Sequence, residues 1–283
     1  MPRALPHGRF CAREDDMKKW IAGAVMAVTI AGCAVSTQQE IQMGQQEVAQ
    51  INQQLPIIRD PEINRYINVL GDSIARLTER GDLPWQFFVV DSREVNAFAV
   101  PGGYVYVNRG LIERAQKMDQ LAGVLGHEIG HVIKRHTVKQ MNQMQGANVG
   151  LVLACVLTSV CSSQIAQAGI NVAGGALFAK FSRDDEREAD EVGVSNVVRA
   201  GISPNGMPEM FRILIDERQR SPGAVDGWFA SHPTEEDRIT DVNRMIAQIN
   251  PAILRTLRTD SPAFQSFKRR VAALPAPRVA GRR

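Results

Sequence analysis

Two histidines four residues apart, His127 and His131, bracket Glu128 in the run HEIGH. On a helix, four residues advance ~400°, so the second imidazole lies ~40° round and ~6 Å along from the first. Both rings then project from one face and can grip a single metal ion. Glu128 stands beside them, where a carboxylate can take a proton from a water activated there, and the chemistry this implies is hydrolysis. A catalytic zinc site needs a third protein ligand and one open position. Candidates are few, because the chain has five histidines and four cysteines, with Cys11 and Cys33 far upstream. In SRDDEREADEVG, Glu186 and Asp190 fall four apart on one helix face. Glu186 suits the third ligand of one zinc ion per chain. Asp190 suits the acceptor of the outer N–H of His127 or His131, which fixes that ring's tautomer. Glu188, ~200° round from Glu186, faces away.

The elements that must hold these groups are legible in outline. Asp119 can N-cap a helix from Gln120 to about Gln145, with Leu121, Val124, Leu125, Ile129, Val132 and Ile133 leaving almost no polar face, as in a buried helix. Its Gly123, Gly126 and Gly130 each cost ~1 kcal/mol relative to alanine, so another backbone or a ligand must come close. On this continuous helix His136 lies ~140° round from His131 and points away from the metal, a structural residue. Ser182 or Asp184 can cap the acidic helix, which ends before Gly201. Thr234 and Asp237 form a capping-box-like pair with Pro233 ahead of them, holding His232 just outside a helix N-terminus. Upstream, Asp60 and Pro61 open a helix with Ile63, Tyr66, Ile67, Leu70, Ile74 and Leu77 in one stripe. Phe87 to Val90 reads as a strand, and Asn96 to Val100 and Tyr104 to Val107 as two more, joined by a turn at Pro101-Gly102-Gly103. Strands followed by helices give an α+β fold.

Composition, with 44% hydrophobic and 22% charged residues in 283, is that of a globular protein, and a net charge of +3 argues against nucleic acid as a partner. From Met17 a basic pair, an apolar stretch and Ala31-Gly32-Cys33 have the order of a secretory signal too short to span a bilayer. Ile30 to Cys33 looks like a bacterial lipobox, with Cys33 as the lipidated first residue anchored in a membrane. The acidic residues Glu14, Asp15 and Asp16 sit badly ahead of such a signal. The expected organisation is therefore residues 1–16 upstream of the true start, 17–32 a lipoprotein signal, 33–58 a tether and docking helix, 59–250 the catalytic domain, and 251–283 a basic, partly disordered tail. Between the two metal-site helices, the apolar segment from Ala147 to Phe181 is either a lid or a pair of packing helices. Its Cys155 and Cys161 are ~9 Å apart along any continuous helix, so a disulfide requires a break between them.

HEIGHVIKRH, the EREAD helix, the hairpin NAFAVPGGYVYVNRGLI and the later SHPTEEDRI together resemble the zinc metallopeptidase family of the CAAX prenyl proteases and HtpX, over roughly Ile41 to Ile249, and in particular its periplasmic lipoprotein branch. The resemblance implies a mainly helical gluzincin-type domain with a small antiparallel sheet beside the HExxH helix. It implies zinc on His127, His131 and Glu186, with Glu128 as general base. It places His232 at the active site, either as a fourth zinc ligand or as an oxyanion stabiliser; Arg238, near the start of the helix that follows, is a candidate helper for the oxyanion by its position, with a purely structural arginine the plainer reading. Substrate would add to the edge strand Asn96, Ala97, Phe98, Ala99 and Val100 by main-chain hydrogen bonds, although an ordinary core hairpin accounts for that segment equally well. Unfolded or misassembled envelope polypeptides are the implied substrates, met in the periplasm by a protein anchored to the outer membrane. A chaperone-like assembly factor with a latched, seldom active zinc site is the alternative.

Overall fold

A computed structural model describes residues 35–143, 181–232 and 236–276. Cys33 and the signal-like segment, Cys155 and Cys161 with most of the apolar segment, Pro233, Thr234 and the last residues of the tail lie outside them. The described elements fall in one compact unit that begins at Thr37. Its elements are α1 (Thr37–Gln54), α2 (Pro61–Ala75), β1 (Gln86–Val90), β2 (Ala97–Val100), β3 (Tyr104–Asn108), α3 (Arg109–Arg114), α4 (Met118–Ile133), α5 (Arg183–Arg199), α6 (Gly206–Arg220), α7 (Pro222–Ser231), α8 (Glu236–Ala247), α9 (Pro251–Leu254) and α10 (Pro262–Ala272). No described helix is long and apolar enough to cross a membrane.

The sheet is small, three strands in the order β1-β3-β2, and it is mixed rather than wholly antiparallel: β1 runs parallel to β3, and β2 antiparallel to it. The hairpin turn fits its residues, since Gly102 at φ 85° and Gly103 at φ 100° take conformations a side chain disfavours. Period-two alternation splits the strands between two layers. Phe87, Val89, Ala97, Val105 and Val107 join the core shared by α2 and α4. Val90, Val100, Tyr104 and Tyr106 face Ile51 of α1, with Phe88 and Phe98 each stacked on Tyr106 at 4.8 Å between ring centres. The glutamine-rich α1 is thus the outer layer over the sheet.

Helix α2 starts as its residues dictate, with Asp60 accepting from the amides of Glu62 at 3.0 Å and Ile63 at 3.1 Å. It stops at Ala75, so Leu77 leaves the apolar stripe and is exposed. Asn68 fastens it to the sheet, donating to the Phe87 carbonyl at 2.9 Å and accepting from the Phe87 amide at 3.0 Å.

Every residue of α4 is buried. The helix departs from expectation at both ends. It begins at Met118, one turn of support coming from a distant segment: the Thr259 carbonyl accepts from the Asp119 amide at 2.9 Å and Asp260 from the Met118 amide at 3.2 Å. Asp119 is therefore inside the first turn and not its cap, with its carboxylate fully buried. At the other end α4 stops at Ile133 instead of running to Gln145. Arg135 adopts φ 58°, a left-handed conformation, and helix resumes over 136–143 in a new direction.

After Asn250 the described residues up to 276 include an ordered helix, with Phe264, Phe267 and Val271 of α10 buried against α2, where Tyr66 and Phe267 stack at 4.4 Å. Lys268 and Arg269 and Arg270 mark a polar face of an amphipathic helix, and Lys268 donates to the Ala115 carbonyl at 2.6 Å. The basic charge count concealed the apolar spacing.

Burial pushes the Asp119 carboxyl from the ordinary 3.8 to about 6, against a partial pull from Lys117. Ionising it therefore costs the folded state, with no penalty below pH 3.8 and the full penalty above pH 6. Asp119→Asn is expected to raise the melting temperature at pH 8, by the equivalent of ~1 kcal/mol after solvent screening, with the gain vanishing by pH 4. Thermal unfolding of parent and variant across that range checks it; a gain independent of pH would show that charge is not its source.

Candidate metal centre

The site is built where α4 and α5 cross. A Cβ on Gly130 would lie 2.6 Å from the Ala189 carbonyl oxygen, and one on Gly193 would lie 3.0 Å from the His127 amide nitrogen. Backbone thus meets backbone, and the glycines in α4 are explained by close approach. Ser182 caps α5, accepting from the Asp185 amide at 3.1 Å while Asp185 accepts in return from the Ser182 amide at 3.2 Å. Of the two possible caps it is Ser182 that serves. The crossing sets the EREAD face against the HEIGH face with both buried.

Four side chains converge. His127 and His131 bring their Nε2 atoms to 3.0 Å from one another. The Glu186 carboxylate reaches both, at 3.5 Å to His127 and 3.4 Å to His131. His232, from the end of α7, puts Nδ1 3.0 Å from Glu186 and 3.3 Å from His127 Nε2. One donor atom from each of His127, His131, Glu186 and His232 lies within 4.8 Å of all the others, and all four residues are buried. Three imidazole nitrogens and a carboxylate oxygen turned on one point form a donor set that suits a divalent metal.

Glu128 is fully buried, and neither of its oxygens has a hydrogen-bond partner among the described residues; His232 Nε2 stands 3.4 Å from Oε1. Burial raises its carboxyl above the ordinary range, with His232 and His127 opposing. An orphaned carboxylate beside converging donors is the arrangement a cation and a water would complete. Burial also tends to raise Glu186, but His232, Arg238 and His127 outweigh it and hold the carboxyl well below its usual value. His131 is kept neutral by burial despite Glu186, as a metal ligand must be.

The surrounding layer is where sequence reading ran short. Asp190 Oδ1 lies 2.9 Å from His127 Nδ1, the outer nitrogen of that ring. Arg238 then grips Asp190 with two donors, at 2.8 and 2.7 Å, donates to Glu186, and lies over the Phe211 ring at 4.5 Å. Its guanidinium is turned onto the two carboxylates, a geometry that fits orienting them. Phe181 stacks on His131 at 3.9 Å and Trp228 leans on His232 at 4.7 Å; both aromatics were missed, having no spacing to mark them. His136 lies outside the donor set, as a residue pointing off the metal would, but it is buried against the back of a donor ring, its Nδ1 2.9 Å from His131 Nδ1, beyond the helix break at Arg135. Glu188 is half-exposed and outside the donor set. Asn96 to Val100 contains β2, an edge strand beside α4, with Phe98 and Ala99 half-buried.

Comparison with known proteins agrees with this geometry. The sequence model of peptidase family M48 matches residues 61–246. The chain is 32% identical over 229 residues to the putative beta-barrel assembly-enhancing protease of Vibrio cholerae, covering 79% of this chain and 47% of that protein. It is 33% identical over 165 residues to the metalloprotease YcaL of Escherichia coli, covering 58% and 63%. It is 27% identical over 205 residues to a mitochondrial metalloendopeptidase of Schizosaccharomyces pombe, covering 72% and 59%. The chain spans about half the length of the assembly-enhancing proteases it matches.

Proposed function

This chain belongs to peptidase family M48, and from that premise we propose that it is a zinc-dependent endopeptidase whose ligands are His127, His131 and Glu186 and whose general base is Glu128. The observation that carries the reading is the buried convergence of those donors beside a carboxylate with no hydrogen-bond partner among the described residues. Zinc, when bound, supplies Lewis acidity, polarising the scissile carbonyl and acidifying water. Glu128 takes the proton from the attacking water as the carbon–oxygen bond forms, and returns it to the amine as the carbon–nitrogen bond breaks. Its desolvated setting raises its basicity for that exchange. Asp190 holds His127 by the outer nitrogen, and Arg238 holds Asp190, so one histidine enters the reaction with its tautomer fixed. An extended substrate segment pairs with the edge strand β2 through backbone groups of Asn96 to Val100.

Misfolded or misassembled polypeptides of the bacterial envelope are the proposed substrates, supported by relatives named as beta-barrel assembly-enhancing proteases. The lipobox-like Ile30 to Cys33 supports a periplasmic protein tethered to the outer membrane by lipid on Cys33. A second reading, an assembly factor with a latched site, is favoured by one observation: His232 points Nδ1 into the donor set, where a fourth ligand would exclude the attacking water.

Glu128→Gln is expected to keep zinc and to lower cleavage of an unfolded protein by ~10²–10⁴-fold, whereas His127→Ala and Glu186→Gln lose the metal and Glu188→Gln does not. Metal content and turnover on the same preparations decide it, and undiminished cleavage by Glu128→Gln would sink the mechanism. His232→Ala is expected to raise basal and self-cleavage with zinc retained, as a latch requires. A fall of ~10²–10³ would instead make His232 an oxyanion stabiliser. Mass spectrometry of the N-terminal peptide should find acyl mass on Cys33; an unmodified N-terminus elsewhere would reject the anchor.

A further inference from the structure

Outside the four converging donors, one buried imidazole touches them. His136 places Nδ1 2.9 Å from Nδ1 of His131, and both rings are sealed from solvent. Two ring nitrogens at that distance share one proton. His131 turns Nε2 toward His127 at 3.0 Å and Glu186 at 3.4 Å, so a metal there takes Nε2 and leaves the proton on Nδ1. His136 Nδ1 is then the acceptor. Its own proton must sit on Nε2, which faces Glu188 at 3.4 Å and Asp185 at 3.6 Å. Asp185 is in turn anchored by Lys139 at 2.9 Å and by Ser182. The two metal-side histidines are therefore backed differently, His127 by a carboxylate and His131 by a second imidazole.

The position of His136 depends on the backbone one residue earlier. Arg135 carries a Cβ yet sits at φ 58°, and this left-handed residue turns the chain so that His136 comes back over His131. Its guanidinium is tied down from the far end of the molecule: Arg135 Nε donates to Glu40 of α1 at 2.8 Å. Glu40 is itself buried, accepts a two-pronged contact from Arg80 at 2.9 and 3.0 Å, and accepts from the Gly102 amide at 3.3 Å. Arg80 also donates to the Val132 carbonyl in the last turn of α4, at 2.9 Å. One buried carboxylate thus gathers α1, the hairpin turn and the end of the HEIGH helix.

We infer that His136 is a positioning residue for the metal ligand His131, and that α1 sets it in place through Glu40 and Arg135. This rests on the reading of His131 as a ligand and adds the support on which that ligand depends. It makes the first described helix part of the metal-site framework.

The test uses the full chain and two readouts other than turnover: zinc affinity by chelator competition, and the His131 ring N–H proton resonance in zinc-loaded protein. His136→Leu, which cannot accept a proton, is expected to weaken zinc binding ~10–100-fold and to expose the ring N–H to exchange. His136→Asn, whose Oδ1 can stand where Nδ1 was, should recover most of both. Glu40→Ala should weaken zinc binding, and adding Arg135→Gly, which removes the conformational penalty at that residue, should restore it. Parent-like affinity and resonance in His136→Leu would overturn the inference. So would an Asn variant as defective as Leu, which would mean that His136 only fills space. A Glu40→Ala defect that Arg135→Gly leaves unrepaired would remove α1 from the chain of support. His131→Ala separates the two claims: zinc binding that survives it refutes the ligand assignment, whereas zinc loss there with an unaffected His136→Leu refutes the positioning role alone.

Discussion

The structure turns on one close contact, the crossing of α4 and α5 at glycine. A cluster of converging donors drawn from two helices requires their axes nearer than ordinary side chains allow, and Gly126, Gly130 and Gly193 let the backbones touch. Everything at the site follows from that spacing. Glu186 can reach between two histidines, and Asp190 can meet the back of His127, only because no Cβ stands between the helices. The residues with the poorest helix propensity in α4 are thus the ones that make its chemistry possible.

Close packing brings an electrostatic burden. Glu128, Glu186, Asp190 and Arg238 are all buried within one small volume, where an unpaired charge is unstable. Arg238 offsets part of this by spanning Glu186 and Asp190. Glu128 is left over, its burial uncompensated by hydrogen bonds. Among the described residues Glu128 accepts no hydrogen bond, although His232 Nε2 stands 3.4 Å away, and this separates it from Glu186 and Asp190, which Arg238 holds directly.

Support for the crossing comes from both ends of the chain. The first described helix covers the outer sheet face and sends Glu40 to the end of α4. Near the other terminus, Thr259 and Asp260 cap the start of α4, and α10 closes over α2. Helix α4 is buried along its length, so its end groups cannot turn to water and must find partners in distant segments. The domain is accordingly larger than the run of recognisable motifs.

What the sequence determined by itself were the features set by local spacing. The i, i+4 rule put His127 with His131 and Glu186 with Asp190; Asp60-Pro61 fixed the start of α2; Pro101-Gly102-Gly103 fixed the hairpin turn. These rest on helix pitch and backbone sterics, which act over a few residues. Tertiary structure alone decided the break at Arg135, where no glycine or proline marks a stop and a carboxylate 95 residues away holds the turn. It alone decided the placement of His136 against His131 and of Arg238 against Asp190, the parallel pairing of β1 with β3, and the helix beyond Asn250. Each of these depends on a contact between parts remote in sequence, and such contacts exist only once the apolar faces have been buried against one another.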